Sequence, residues 1–398
     1  MGFKSRHVTE AAIFVAGTCY VLTCQMTFNT GSFVAIRHYY PMLFVACGLL
    51  ALAPILLGEC RKSIAFLTSD WRYIAVFASL FCLIGAPHLI SHGDSFASLS
   101  LNYWDMSDPS NLARRITVPV LAHLLWLDGP LYLYFWYALF IATWIVAIKF
   151  LHDLDLSALE ILSISTSSIV AYLLIVPGYN EVIVFLFGMI AGVRRLSNPL
   201  KFILLSLMVG AHEIASAFVL AALIVQANSS AERRSWIILG GACFAAYAIG
   251  YALNWNLTLD AAFNTAYRPS PGSTETSFDW LAGHPWRAFA GIAIAYKLYW
   301  FVVILALSGW YGRRNALTAV LTISALPLIL IATDVSRMVQ FTSLSLFLLA
   351  PLILKQARPP MRAGLALANL ACPSFYISSN WVPMTGNGLY SLYALIAF

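Results

Sequence analysis

Apolar residues run in long unbroken blocks along this chain, and short polar stretches between them carry most of the charge. Blocks over about 11–28, 41–58, 73–90, 131–150, 157–176, 235–253, 288–308, 315–332, 338–354 and from about 363 onward approach the ~20 residues a membrane-crossing helix needs. A further block, about 182–193, is shorter. A closed barrel would instead show ten-residue segments of alternating polarity. The pattern predicts an all-α, polytopic integral membrane protein with roughly 12 to 13 membrane helices. Residues 1–398 read as a single integral membrane domain without a soluble module or internal repeat. Residues 1–72 hold two N-terminal spans, 73–354 a core with loops at 91–115 and 254–286, and 355–398 a C-terminal span and tail.

Two segments depart from the simple pattern. Residues 116–127 (ITVPVLAHLLWL) are short and contain Pro119 and His123, as an interfacial or re-entrant helix would. Between Lys201 and Arg233 the apolar stretch is interrupted by Ala211-His212-Glu213. Both ends are basic, so the two halves must return to one side, yet each is too short for a full span. Short helices meeting at His212 and Glu213 resolve the conflict, because interrupted backbone at membrane depth is tolerated around a cavity and marks binding sites.

Charge then orients the spans. Sixteen of the 23 lysines and arginines fall in clusters between blocks: Lys4/Arg6, Arg61/Lys62/Arg72, Lys149, Arg194/Arg195/Lys201, Arg233/Arg234, Arg313/Arg314 and Lys355/Arg358/Arg362. The positive-inside rule places these in the cytoplasm. Residues 91–115, the PGYNE segment at 177–181, the 254–286 loop and TDVSR at 333–337 then face outward. The expected location is the cytoplasmic membrane, with any active site on the exterior side.

Composition supports the class. Only 10% of residues are charged, against about a quarter in a soluble protein, and 61% are hydrophobic. The net charge of +6 lies in inter-span clusters, so it does not indicate a nucleic-acid partner. The seven cysteines are scattered without metal or disulfide spacing. The first apolar block follows Lys4 and Arg6 and reads as a retained signal anchor.

Ionisable residues at the outward helix ends are the candidates for chemistry. In SHGDSFASLSLNYWDMSDPSNLARR (91–115), Asp108 precedes Pro109 and reads as a helix cap. Asp105 sits beside Trp104 and reads as an interfacial solvated residue. Asp94 follows the end of the third span with no helix start behind it, and is the best-placed general base. His88, His92 and Asp94 have conceivable metal spacing, but no metal or other cofactor is indicated. Arg114 and Arg115 suit lipid headgroups or a substrate phosphate. His212 and Glu213 are either a mutually satisfied buried pair or part of a site. Asp334 and Arg337 are an i,i+3 pair that either stabilises a helix or holds a phosphate. Lys297, in mid-span, snorkels or faces a cavity or carboxylate. Glu181 reads as interfacial, and Asn256-Leu257-Thr258 matches a weak glycosylation sequon.

The acidic outward loop is followed by an Arg-x-x-x-Pro helix, Arg115 to Pro119. Together with His212-Glu213 on short helices and Asp-x-x-Arg at Asp334 and Arg337, it resembles the GT-C superfamily of polyprenyl-phosphate-sugar-dependent membrane glycosyltransferases, particularly bacterial surface-polysaccharide members. The resemblance covers roughly residues 90–340. It implies inverting transfer of a sugar from a polyprenyl-phosphate donor to a glycan or lipid acceptor at the outer membrane face. By that likeness Asp94 is the base with Asp105 in reserve, while Arg337, Arg115 and His212 contact phosphate. The family's catalytic loop usually follows the first span, whereas here residues 29–40 contain no Asp or Glu. The core therefore begins at the third span, or two spans precede it. A transporter or flippase, or a polymerase of lipid-linked saccharides, is the alternative.

Overall fold

The computed structural model describes residues 91–103, 115–165, 167–175, 178–193, 196–255, 277–330, 332–357, 359–371, 375–377 and 381–383. The first three expected spans, and Asp105, Asp108, Arg114 and the sequon, lie outside the described residues. What is described is helical apart from one small antiparallel hairpin, β1 (Phe375–Ile377) with β2 (Trp381–Pro383). Among the described residues, two helical segments, Gly129–Asp153 and Ala288–Leu307, are long and apolar enough to cross a membrane. Several other apolar helices are shorter.

Residues 91–101 form a helix, α1 (Ser91–Leu101), within the stretch that the sequence predicts to be a loop. Its Phe96 and Ser100 are fully buried, and the Ser100 hydroxyl accepts the Gly129 N–H at 2.8 Å. Packing of small residues against α2 (Thr117–Leu124) and the turn before α3 (Tyr132–Asp153) makes helix the better solution. Asp94 therefore sits on a helix, not in a loop.

The expected span over 131–150 is α3. The next one is not continuous. It splits into α4 (Ala158–Ser165) and α5 (Ile169–Ile175). Serine hydroxyls compete with the helix ladder there: Ser168 donates to the Ser165 carbonyl at 2.7 Å, and the Ser343 hydroxyl accepts the Ile169 N–H at 3.0 Å. α6 (Glu181–Val193) then runs parallel to α3, with the Thr143 hydroxyl donating to the Val182 carbonyl at 3.1 Å and Phe150 beside Gly192.

The interrupted stretch after Lys201 forms α7 (Asn198–Ala211) and α8 (Glu213–Gln226), broken at His212 in extended backbone. Both pack on α9 (Ser230–Trp255) in opposite directions. Ser235 of α9 donates to Asn198 at the start of α7 at 2.7 Å, and Ser206 of α7 meets Cys243 at 3.4 Å. Gly240 of α9 lies instead against Leu220 of α8. The pair is a helical hairpin with His212 at its tip, as the charge pattern required. Small residues let it seat closely, since a Cβ on Gly188 would stand 2.5 Å from Val219 and one on Gly210 2.7 Å from Thr117.

After α10 (Ser277–Gly283), the span expected over 288–308 is interrupted. α11 (Pro285–Tyr296) and α12 (Trp300–Leu307) are separated by a 3-10 turn, with Lys297 at φ +49°. α13 (Arg313–Ile323) stops short of the expected 332 and gives way to a 3-10 segment, Leu326–Leu330. The next expected span is likewise two pieces, α14 (Val335–Gln340) and α15 (Ser343–Leu354). The Thr342 hydroxyl at that break bonds the carbonyls of Thr322 and Val339. α16 (Pro359–Ala371) closes the helical set, its Asn369 amide joining Ser163 and Ser167 of the α4–α5 break.

Candidate functional site

Four breaks in the helical pattern bring one cluster together. α6 begins at Glu181 after Gly178, which takes φ +103°. α8 begins at Glu213 behind its cap, His212. α14 begins after Asp334. Arg115 lies just before α2. Glu181, Glu213 and Asp334 stand at helix starts because the backbone just before each is non-helical, and Arg115 joins them ahead of α2.

Arg337 is the centre. It is 5% exposed, and its Nε donates to Glu181 Oε1 at 2.9 Å. Its Nη2 also reaches Glu181, while Nη1 donates to Asp334 Oδ2 at 3.0 Å. The guanidinium lies over the Tyr179 ring, 3.9 Å from the centroid, with Tyr172 and Phe341 flanking it. Buried charge is tolerated when it is paired and hydrogen-bonded in this way.

Glu181, which the sequence reading placed at an interface, is fully buried. A carboxylate at the first residue of a helix is favoured by the N-terminal dipole, and Arg337 supplies the compensating charge. His212 Nε2 approaches the same Oε1 to 3.3 Å, without the alignment of a hydrogen bond. The other ring nitrogen, Nδ1, accepts the Ala215 N–H at 3.3 Å and so caps α8. That bond fixes the neutral tautomer with its proton on Nε2. The ring also meets Phe341 edge-on, at 4.9 Å between centroids.

Arg115 and Glu213 form the outer part. Arg115 Nη2 is 3.6 Å from Glu213 Oε1, and the Asn180 amide donates to the Arg115 carbonyl. Glu213 keeps 32% of its side chain exposed and Asp334 22%, against 13% for Arg115. These three residues line the open side, above a floor of Glu181, His212 and Arg337.

Of the sequence candidates, the fold thus unites Arg115, His212, Glu213, Asp334 and Arg337. Lys297 is placed differently: its Nζ points to the Asn369 carbonyl at 3.5 Å, toward the α4–α5 break. The backbones of His92 and Asp94 lie on α1, which packs against α2, just beyond Arg115. Sequence reading missed the roles of Glu181, Asn180 and Tyr179. The signal available was the PGYNE segment, an acid at the first position of an apolar run.

Level and charge complete the geometry. The Trp136 indole donates to the Tyr179 carbonyl at 2.9 Å, and Thr143 to Val182. Glu181 is therefore level with the middle of α3. Among the described residues no group of three or more His, Cys, Asp or Glu side chains is arranged to hold a metal ion. Arg115 and Arg337 face Glu181, Glu213 and Asp334, so acceptors and donors are mixed, with no excess of positive charge. Compared with known proteins, the chain matches no family model, no curated protein and no solved structure.

Proposed function

We propose that this chain is a polytopic membrane glycosyltransferase that takes a sugar from a polyprenyl-phosphate donor on the outer side of the cytoplasmic membrane. The observation that carries the reading is the convergence of Arg115, His212-Glu213 and Asp334/Arg337, three segments far apart in sequence, on one cluster with an open side. The 22 residues of α3 span about 33 Å, close to a hydrocarbon core, and would put Glu181 near mid-depth. Outward faces fit lipid. Ile237, Ile238, Phe301 and Ile304 are exposed, while Trp126 (86%) and Trp310 (88%) stand at opposite ends, where interfacial tryptophans belong.

In this reading Arg115, the more open guanidinium, receives the leaving lipid phosphate and stabilises its developing charge. Glu213 orients Arg115. Asp94, carried on α1 against α2, takes the proton of the acceptor hydroxyl. Water is kept from the inner cluster by Tyr172, Tyr179 and Phe341. A glycan or lipid acceptor and membrane lipids are the partners, and no cofactor is invoked.

The test is transfer from a radiolabelled polyprenyl-phosphate sugar in membranes containing the protein. Arg115→Gln and Asp94→Asn should each reduce transfer at least 100-fold. Wild-type rates in Asp94→Asn would remove it as the base, and absence of transfer from a panel of such donors would sink the whole reading. A transporter or flippase of lipid-linked saccharides is the second reading, favoured by the α7–α8 hairpin whose tip brings ionisable groups to mid-depth. Donor translocation across vesicles without transfer would select it.

A further inference from the structure

The end of the bundle where the basic residues gather treats its charges in two ways. Lys149, Lys355 and Arg362 each meet a carboxylate of the chain itself, on Asp153, Asp155 and Glu160. Arg233 and Arg234, in the first turn of α9, and Arg313 and Arg314, which open α13, are exposed. Among the described residues none of these four has a carboxylate oxygen within 4.0 Å. Glu232, next in the chain to Arg233, turns its Oε2 to the Asn228 N–H at 3.1 Å. The two pairs of arginines meet around the end of α8. Arg314 Nη2 donates to the Gln226 carbonyl, Gln226 Nε2 donates to the Thr318 hydroxyl at 2.8 Å, and α9 begins at Ser230.

Below this charge the surface is apolar. Arg313, Leu317 and Val320 stand at i, i+4 and i+7 on α13, an exposed stripe that leads from the charged end toward mid-depth. α12 packs beside it and exposes Phe301, Ile304 and Leu307. The turn between the two helices takes Gly309 to φ +78° and Gly312 to φ +92°, which glycine does without strain. Trp310 projects from that turn almost fully exposed, beside the arginines. Guanidiniums above, an indole at the junction and aliphatic stripes below complement one molecule part by part: a phosphate, an interfacial region and an acyl chain. A soluble anion would answer the arginines and leave the stripes unused.

We propose that this corner binds an anionic phospholipid of the cytoplasmic leaflet, its phosphate on the two arginine pairs and an acyl chain along the α12–α13 stripes. The inference rests on the membrane-spanning reading and not on sugar transfer. It is separate from the cluster at Arg115, because the 14 residues of α8 put about 20 Å between Glu213 and Gln226. A lipid held by both pairs ties α9 to α13 across the end of α8, and so braces the hairpin that carries His212 and Glu213.

The experiment uses the full chain, stripped of lipid in a nonionic detergent. It is titrated with phosphatidylglycerol, phosphatidylcholine or glycerol 3-phosphate, and read by melting temperature and by native mass spectrometry of retained lipid. Phosphatidylglycerol should stabilise saturably, with phosphatidylcholine weaker by about 10-fold or more. Glycerol 3-phosphate, which has the charge without the chains, should not stabilise. Arg313→Gln and, separately, Arg233→Gln/Arg234→Gln should weaken phosphatidylglycerol about 5-fold for each arginine removed. Leu317→Asn should weaken it too, by interrupting the stripe. Lys149→Gln and Lys355→Gln, whose charges Asp153 and Asp155 already meet, should leave it within about 2-fold. None of these side chains is buried, and the melting temperature of each lipid-free variant checks its folding. Equal binding of phosphatidylcholine overturns the proposal, as does stabilisation by glycerol 3-phosphate. Binding unaltered in both arginine variants, or an equal loss in the lysine variants, overturns it as well. No readout involves transfer, so failure here leaves the glycosyltransferase reading standing, and absence of transfer leaves this site standing.

Discussion

Arg337 and Glu181 lie 156 residues apart in sequence and meet as a buried pair, Nε 2.9 Å from Oε1. The contact ties the start of α6 to α14, and Asp334 and Tyr179 complete the guanidinium's surroundings. A charge this deep is stable only while all partners remain.

Removing one partner should therefore be severe. Arg337→Met and Glu181→Gln are each expected to cost about 3–5 kcal/mol, because each leaves an uncompensated buried group. The double variant should be less destabilised than the sum of the two. Unfolding measured across this double-mutant cycle checks it, and additive losses would show that the pair is not coupled.

The hairpin depends on close approach at glycine. Gly188→Val puts side-chain atoms where Val219 already lies, since even a Cβ would be 2.5 Å from it. A loss of about 1–3 kcal/mol is expected, with partial recovery in the Gly188→Val/Val219→Ala pair. Melting temperatures of the three proteins are the measurement. No recovery would mean that α6 and α8 do not touch at this point.

His212 caps α8 through Nδ1. His212→Asn keeps a side-chain acceptor at the cap, whereas His212→Ala removes it and should cost about 1 kcal/mol more of stability. Melting temperatures of the two variants check it, and equal losses would mean that the cap contributes nothing.

At the basic end of the bundle, Lys355 Nζ donates to Asp155 Oδ2 at 2.8 Å. This hydrogen bond, with the charge behind it, holds the Asp155 carboxyl below its ordinary range. A group with a lowered folded pKa stabilises the fold above its unfolded value of about 4, and that contribution fades as pH falls through the folded pKa. The melting-temperature difference between wild type and Asp155→Asn should be present at neutral pH, small because the site is exposed, and gone in strong acid. A difference that grows on acidification would contradict the assignment.

Orientation is tested by labelling. Single cysteines at positions 228 and 126, in a background without the native cysteines, should react with impermeant reagents from opposite sides of the membrane, with position 228 cytoplasmic. Labelling of both from one side would break the proposed topology, in which the cluster faces the exterior.

Much of the helical order was legible from local pattern alone. The α3 span, the short α6 and the α7–α8 pair follow from apolar blocks and from basic residues at both ends of the Lys201–Arg233 stretch, because those signals act over a few turns. The breaks at Ser165–Ser168, Lys297 and Phe341–Thr342 were not legible. Each is held by hydroxyl, amide or carbonyl partners from distant segments, such as Ser343 on Ile169 and Asn369 on Ser163.

The sequence by itself determined that apolar helices would form, and that His212-Glu213 and the Asp334/Arg337 pair would interrupt them, since charge within such a block is too expensive to leave unassigned. Only the tertiary structure decided that these interruptions share one place, and that Glu181, which looked interfacial, would lie beneath them. That outcome depends on the hairpin folding back and on α14 starting beside α6. The Arg115–Glu213 and Glu181–Arg337 contacts join segments 98 and 156 residues apart, and no local period encodes them.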